Sequence, residues 1–229
     1  MCFNIYNMIE LNYPSILFRE YIEYISNYCK KYNLTLILKG SLAVGKASEY
    51  SDIDLVIFGD LEKNNIYEIV YNFNNPLLIN ISTNPKGMLI ITYENNISVD
   101  LDVRKTIIED DINQNNKILV NNGINLSESI IRYELNILDY CKDHSKELYE
   151  ILKLIIKGTN KYLSNNKTAA NDFLIEIKEK CKKYFCIEEL NFNNNYKHDI
   201  KLIYNNLLTK YEIDKIKQKY FNTLLEEKY

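Results

Sequence analysis

Glycine and proline are scarce in this chain. Six glycines and three prolines among 229 residues leave little material for long loops or flexible linkers, and abundant asparagine marks the turns instead. Long hydrophobic runs are also missing. No apolar stretch approaches the ~18 residues needed to span a bilayer, so no membrane segment is expected. The start, Met1-Cys2-Phe3-Asn4-Ile5-Tyr6, has no basic region followed by an apolar core, and no signal peptide is expected. The five cysteines (Cys2, Cys29, Cys141, Cys181, Cys186) are odd in number and lack C-x-x-C spacing. That speaks against structural zinc and for reduced thiols in a cytoplasmic protein. A large excess of one charge is lacking too. The formal net charge is -3, which argues against a protein that coats nucleic acid.

What is present is ordinary globular material, 46% hydrophobic and 26% charged, enough for one large domain or two small ones. Helical spacing over 15–32 (Ile16, Leu17, Tyr21, Tyr24, Ile25, Tyr28), opened by Pro14-Ser15 and ended near Asn33, predicts a first helix. Short apolar runs predict strands over 34–38 and 53–58, a helix over 61–73, and three more strands over 77–81, 88–93 and 97–103. Beyond residue 105 strand signals fade. A long helical pattern opens at Ser127-Glu128 and runs through Ile130, Ile131, Leu135 and Leu138 to Ile155, with a break near Lys142-Asp143-His144. Further helices are read over 168–185 and, as a pair meeting near Thr209, over 199–225. The expectation is an α+β protein with a mixed sheet and flanking helices over 1–120, then a helical bundle over 121–229. Charge divides similarly: residues 1–125 carry 10 Lys+Arg against 15 Asp+Glu, and the remainder 18 against 16.

The most informative stretch runs from Leu38-Lys39-Gly40-Ser41 to Ser51-Asp52-Ile53-Asp54-Leu55-Val56. Gly40 has no side chain, so backbone there can approach a ligand closely. Its amide and that of Ser41, with the Ser41 hydroxyl, can donate to phosphate oxygens. Asp52 and Asp54, two apart on a strand, share a face. Paired carboxylates repel unless neutralised, and their hard oxygens suit Mg2+. The strand Ile97-Ser98-Val99-Asp100-Leu101-Asp102-Val103 repeats the pattern. A third carboxylate from it would complete a two-metal site able to position a nucleoside triphosphate and stabilise leaving pyrophosphate. The residues alone do not choose between Asp100 and Asp102.

Gly40-Ser41, Ser51-Asp52-Ile53-Asp54 and Val99-Asp100-Leu101 resemble the three-part motif of the DNA polymerase β-like nucleotidyltransferase superfamily. The resemblance covers about residues 34–104. It implies that Gly40 and Ser41 bind the triphosphate and that Asp52, Asp54 and Asp100 are the catalytic Mg2+ ligands. It favours Asp100 over Asp102, whose carboxylate departs from the family pattern. One catalytic domain followed by helices is similar to the aminoglycoside and lincosamide nucleotidyltransferases. That likeness implies transfer of AMP from ATP to a hydroxyl of a small antibiotic-like acceptor, with antibiotic resistance as the outcome. Acceptor pockets in such relatives often lie across a dimer, so a homodimer is compatible. Other readings stay open: an antitoxin-like enzyme modifying a protein or tRNA, and a non-catalytic nucleotide-binding module. No arginine stands four to six residues before His144 or His198, which speaks against a fused RNase.

Secondary candidates are fewer in signal. Lys46, Arg104 and Lys105 could contact phosphate, or be solvated surface charges. Glu128, Glu134 and Asp139, expected on the first long helix of the bundle, could act as general base toward the acceptor hydroxyl. His144 and His198 read as surface residues. The run Lys178, Lys180, Lys182, Lys183, interleaved with Glu176 and Glu179, reads as an exposed helix face.

Overall fold

A computed structural model describes residues 11–142, 145–185 and 190–226 of the protein. The calls on Cys2, His144 and Cys186, on the N-terminal hexapeptide and on the break at Asp143 lie outside the described residues. The chain divides into two compact units, one comprising Met1–Pro76 and Ile81–Tyr140, the other Leu77–Asn80 and Cys141–Tyr229.

The chain runs α1 (Ile16–Lys31), β1 (Thr35–Lys39), a single helical turn α2 (Gly40–Ala43), β2 (Ile53–Phe58), α3 (Lys63–Tyr71), β3 (Pro76–Thr83), β4 (Lys86–Tyr93), β5 (Ser98–Arg104) and β6 (Lys117–Val120). These strands form one mixed sheet in the order β3-β4-β5-β2-β1-β6. β2 and β5 run parallel at its centre, while β1–β2, β1–β6 and β4–β5 are antiparallel. α1 starts after Ser15 in extended conformation, and Asn33 at φ +55° follows its end. Asparagine tolerates that left-handed geometry better than most residues. α1 packs against β1, burying Phe18, Tyr21, Ile22, Ile25 and Cys29. α1 is tied to α3 by the hydroxyls of Tyr28 and Tyr32, which donate to Glu68 Oε2 at 3.1 and 3.2 Å. Much of the tyrosine content is spent on such packing: Tyr21 and Tyr93 are fully buried around Phe73.

The two faces of the sheet differ in chemistry. Alternation puts Leu36, Leu38, Leu55, Ile57, Leu101 and Val103 on one face, all buried and all apolar. The other face carries Ile37 and Lys39 from β1, Asp54 and Val56 from β2, and Asp100, Asp102 and Arg104 from β5. A small core of Ile37, Val56 and Ile107, joined by Phe58, Ile112, Ile118 and Ile124, covers part of this second face.

Two expectations for the middle of the chain are corrected. β6 lies beyond residue 105, where strand signal is weak: its four residues begin with Lys117 and are flanked by asparagines. Residues 127–136 are not helical. Arg132 pairs antiparallel with Arg104 at the end of β5, and just before this segment Leu126 pairs with Ile107, beyond β5. Lys105 N donates to Ile131 O (2.8 Å), and Tyr133 N to Val103 O (3.2 Å). Ile131 and Leu138 are half-exposed, so the helical periodicity had no core to face. Helix begins instead at Lys146, after a short 3-10 turn at Ile137–Asp139.

The second unit holds four α-helices among the described residues: α4 (Lys146–Leu163), α5 (Lys167–Phe185), α6 (Tyr196–Lys210) and α7 (Lys215–Glu226). Ile151, Ile155, Ile177, Ile200, Ile203, Leu207 and Phe221 form its core with Leu77 and Leu78. Gly158 lets α4 approach its neighbours closely, since a Cβ there would meet the Tyr196 hydroxyl at 2.6 Å. The lysine run on α5 is not a uniform exposed face: Lys178 Nζ reaches buried Asp199 at 2.6 Å, and Lys180 Nζ reaches Glu150 at 2.9 Å. Among the described residues, no helix is long and apolar enough to cross a membrane.

Candidate active site

The site is built where β1 turns out of the sheet. Gly40 has φ +66°, in the left-handed region, and opens the single turn α2. A Cβ on Gly40 would lie 2.0 Å from Asp54 Oδ2, so the Asp54 carboxylate fills the space any side chain would need. Glycine is required twice here, by the torsion and by the contact. Ser41 follows, half-buried, and the Lys46 amide donates back to its carbonyl at 2.8 Å. Lys46 itself is exposed. The loop is then tightened by Ser48 and Ser51: Ser48 N donates to Ser51 Oγ, and Ser51 N to Ser48 O, each at 3.0 Å. That turn delivers Asp52 to the start of β2.

Asp54 and Asp100 are register partners on the parallel strands β2 and β5, so their side chains share one face as neighbours. Both are half-buried, as is Asp52. Asp52 stands one residue before β2, outside the paired strand. Among the described residues no three Asp, Glu, His or Cys side chains form a group that could hold a metal ion, so the three aspartates are not gathered into a closed cage.

Asp102 has a different environment. It is 4% exposed, and both oxygens are taken: Arg132 Nε donates to Oδ1 at 2.7 Å, while Arg104 NH2 and Arg132 NH2 donate to Oδ2 at 2.6 and 2.8 Å. Burial alone would raise its pKa, but the two guanidinium groups outweigh that and hold it below the usual carboxylate range. Arg104 is therefore neither a solvated charge nor open to a phosphate. Its other arm donates to Asp111 Oδ2 at 2.7 Å, and Asp111 Oδ1 accepts from Lys39 Nζ at 3.0 Å. The result is a continuous chain of ion pairs, Lys39–Asp111–Arg104–Asp102–Arg132. Sequence reasoning missed Lys39, Asp111 and Arg132. Only Lys39 carried a local signal, its place directly before Gly40.

The remaining candidates scatter. Lys105 is exposed, its ammonium 5.1 Å from the centre of the Tyr133 ring. Glu128 is exposed in a bend, Glu134 is exposed outside any helix or strand, and Asp139 lies in the 3-10 turn, none on the expected helix. His198 is half-exposed in α6, with Nδ1 3.1 Å from Asp199 Oδ1.

The sheet thus carries a glycine bend beside in-register aspartates, and the comparison with known families supplies the class. The chain belongs to the nucleotidyltransferase domain family, whose model matches residues 22–227. It is a nucleotidyltransferase enzyme, and a nucleoside triphosphate is its implied substrate. No curated protein sequence matches the chain.

Proposed function

We propose that this nucleotidyltransferase moves AMP from ATP onto a hydroxyl of a small molecule, such as an aminoglycoside-type antibiotic, with Mg2+ as cofactor. One observation carries the reading: Asp54 and Asp100 lie in register on adjacent parallel strands, with the bare Gly40 bend against Asp54. Two half-buried carboxylates side by side repel each other, and a divalent cation relieves that cost. Mg2+ takes one or two protein carboxylates and fills its shell with water and substrate phosphates, which fits two in-register carboxylates beside a phosphate-accepting bend. In this reading Asp54 and Asp100, with Asp52 at the mouth of β2, hold two ions. Bound there, Mg2+ lowers the pKa of the attacking hydroxyl and offsets charge on the departing pyrophosphate.

The chain's own groups do the positioning. Gly40 and Ser41 offer backbone amides, and Ser41 a hydroxyl, to the triphosphate. Lys46, exposed beyond the bend, adds positive charge. Asp102 takes no part in metal binding, because its oxygens are committed to Arg104 and Arg132. The acidic balance of residues 1–125, 15 Asp+Glu against 10 Lys+Arg, suits a polycationic acceptor. Cys29, Cys141 and Cys181 are free thiols, in keeping with a cytoplasmic enzyme.

The test is to incubate the protein with ATP, Mg2+ and a panel of aminoglycosides and lincosamides, and follow product mass. A gain of one AMP on an antibiotic supports the reading. Label carried instead to tRNA or to a protein would move the acceptor to a macromolecule. Undiminished transfer by Asp54→Ala would overturn the site.

A further inference from the structure

The ion chain brings a cation to the glycine bend. Lys39 is the last residue of β1, stands opposite Asp54 in the β1–β2 register, and directly precedes Gly40. Opposed residues of an antiparallel pair share a face, so Lys39 and Asp54 emerge on the same side of the sheet. The Lys39 ammonium is 3.0 Å from Asp111 Oδ1, and 32% of its side chain is exposed against 1% for Asp111. Asp111 is itself anchored through its other oxygen, by Arg104 NH1 at 2.7 Å and the Ile108 amide at 3.0 Å. Arg104 and Arg132 are clamped on Asp102. Of the three cations in the chain, Lys39 has the largest exposed fraction and the place beside the bend.

The geometry points to Lys39 as a further substrate-binding residue, which meets the phosphates of the nucleotide, with Asp111 as its positioning residue. This rests on the reading of Gly40-Ser41 as the triphosphate site. A lysine ammonium has three donors. One is committed to Asp111, and the side chain that carries the others is partly open. Asp111 cannot follow Lys39, because Arg104 and the Ile108 amide fix it. The carboxylate therefore holds the ammonium at the end of β1, directly before Gly40. A fixed cation also loses less side-chain freedom when the phosphate arrives.

The test is calorimetric titration with ATP, GTP, CTP and UTP, and with the matching nucleosides, in the presence of Mg2+. Wild type, Lys39→Met, Lys39→Arg and Asp111→Asn are compared, each with a thermal melt. A hydrogen bond to a charged group is worth enough that Lys39→Met should weaken the preferred triphosphate about 10-fold or more. Nucleoside binding should not change, Lys39→Arg should recover most of the affinity, and Asp111→Asn should show part of the same loss. In turnover the Lys39→Met effect should fall on KM rather than kcat. If wild type binds a triphosphate and Lys39→Met binds it equally well, the assignment of Lys39 fails and the site stands. If Lys39→Met loses triphosphate and nucleoside alike with a lowered melting temperature, the lysine is structural and the assignment fails. If wild type binds no triphosphate, both readings fail.

Discussion

Asp100 and Asp102 stand two residues apart on the same face of β5, in opposite surroundings. Asp100 is half-buried beside a second carboxylate, Asp54, next to a backbone bend without a side chain. Asp102 is buried, and two arginines saturate its oxygens. One end of the strand gathers like charges; the other cancels them. A sheet tolerates buried acid where the protein supplies the counter-charge. Where two acids stand together instead, as Asp54 and Asp100 do, a bound divalent cation would relieve their repulsion, and this is where function is sought. Neither residue type nor spacing separates the two aspartates. Their neighbours do, and for Asp102 those are Arg104 and Arg132.

The largest expected effect lies at the open end. Asp54→Asn and Asp100→Asn should each reduce transfer at least about 10³-fold, roughly 4 kcal/mol of transition-state stabilisation. Their melting temperatures should hold or rise as the carboxylate repulsion is relieved, measured by activity alongside thermal denaturation. The comparison breaks if either variant melts early and keeps its activity.

At the closed end the expected loss is of stability. Asp102→Ala strips the buried Arg104 of one of its two carboxylates and Arg132 of its own, and should cost about 3–5 kcal/mol in denaturant unfolding. The pH dependence sharpens this. The folded pKa of Asp102 is held below its ordinary value, so its stabilisation is present above the ordinary carboxylate range and is lost as pH falls through the lower folded value. Asp102→Asn should flatten that acid limb, and an unchanged limb would contradict the assignment.

Gly40→Ala tests the bend joining the two ends. The left-handed torsion alone costs about 1–2 kcal/mol. The Cβ would also meet Asp54 Oδ2 at 2.0 Å and push the carboxylate out of register with Asp100. Modest destabilisation with a severe loss of transfer is expected. The smallest effect belongs to Lys46→Ala. An exposed cation is worth about 0.2–1 kcal/mol, so triphosphate affinity should fall by no more than about 5-fold, with no change in melting temperature.

Much of the sheet is legible in the sequence. β2 follows directly from the alternation of Ile53, Leu55 and Ile57 with Asp54, and β1 is stopped where Gly40 breaks an apolar run. The pairing of Asp54 with Asp100 was foreshadowed by two strands carrying the same Asp-x-Asp pattern. The ion chain was not readable, because Lys39, Asp111 and Arg132 are brought together only by tertiary folding and share no local period. Residues 127–138 misled for the converse reason. Ile130, Ile131, Leu135 and Leu138 have helical spacing, yet the backbone bonds to the end of β5 at Lys105 and Val103. Those tertiary bonds overrode the local pattern.

The most direct measurement is pyrophosphate release during transfer, with Asp100→Asn and Asp102→Asn assayed side by side under conditions where both remain folded. The account predicts that Asp100→Asn loses release at a wild-type melting temperature, while Asp102→Asn melts earlier and its folded fraction still turns over. Wild-type release by Asp100→Asn would contradict it.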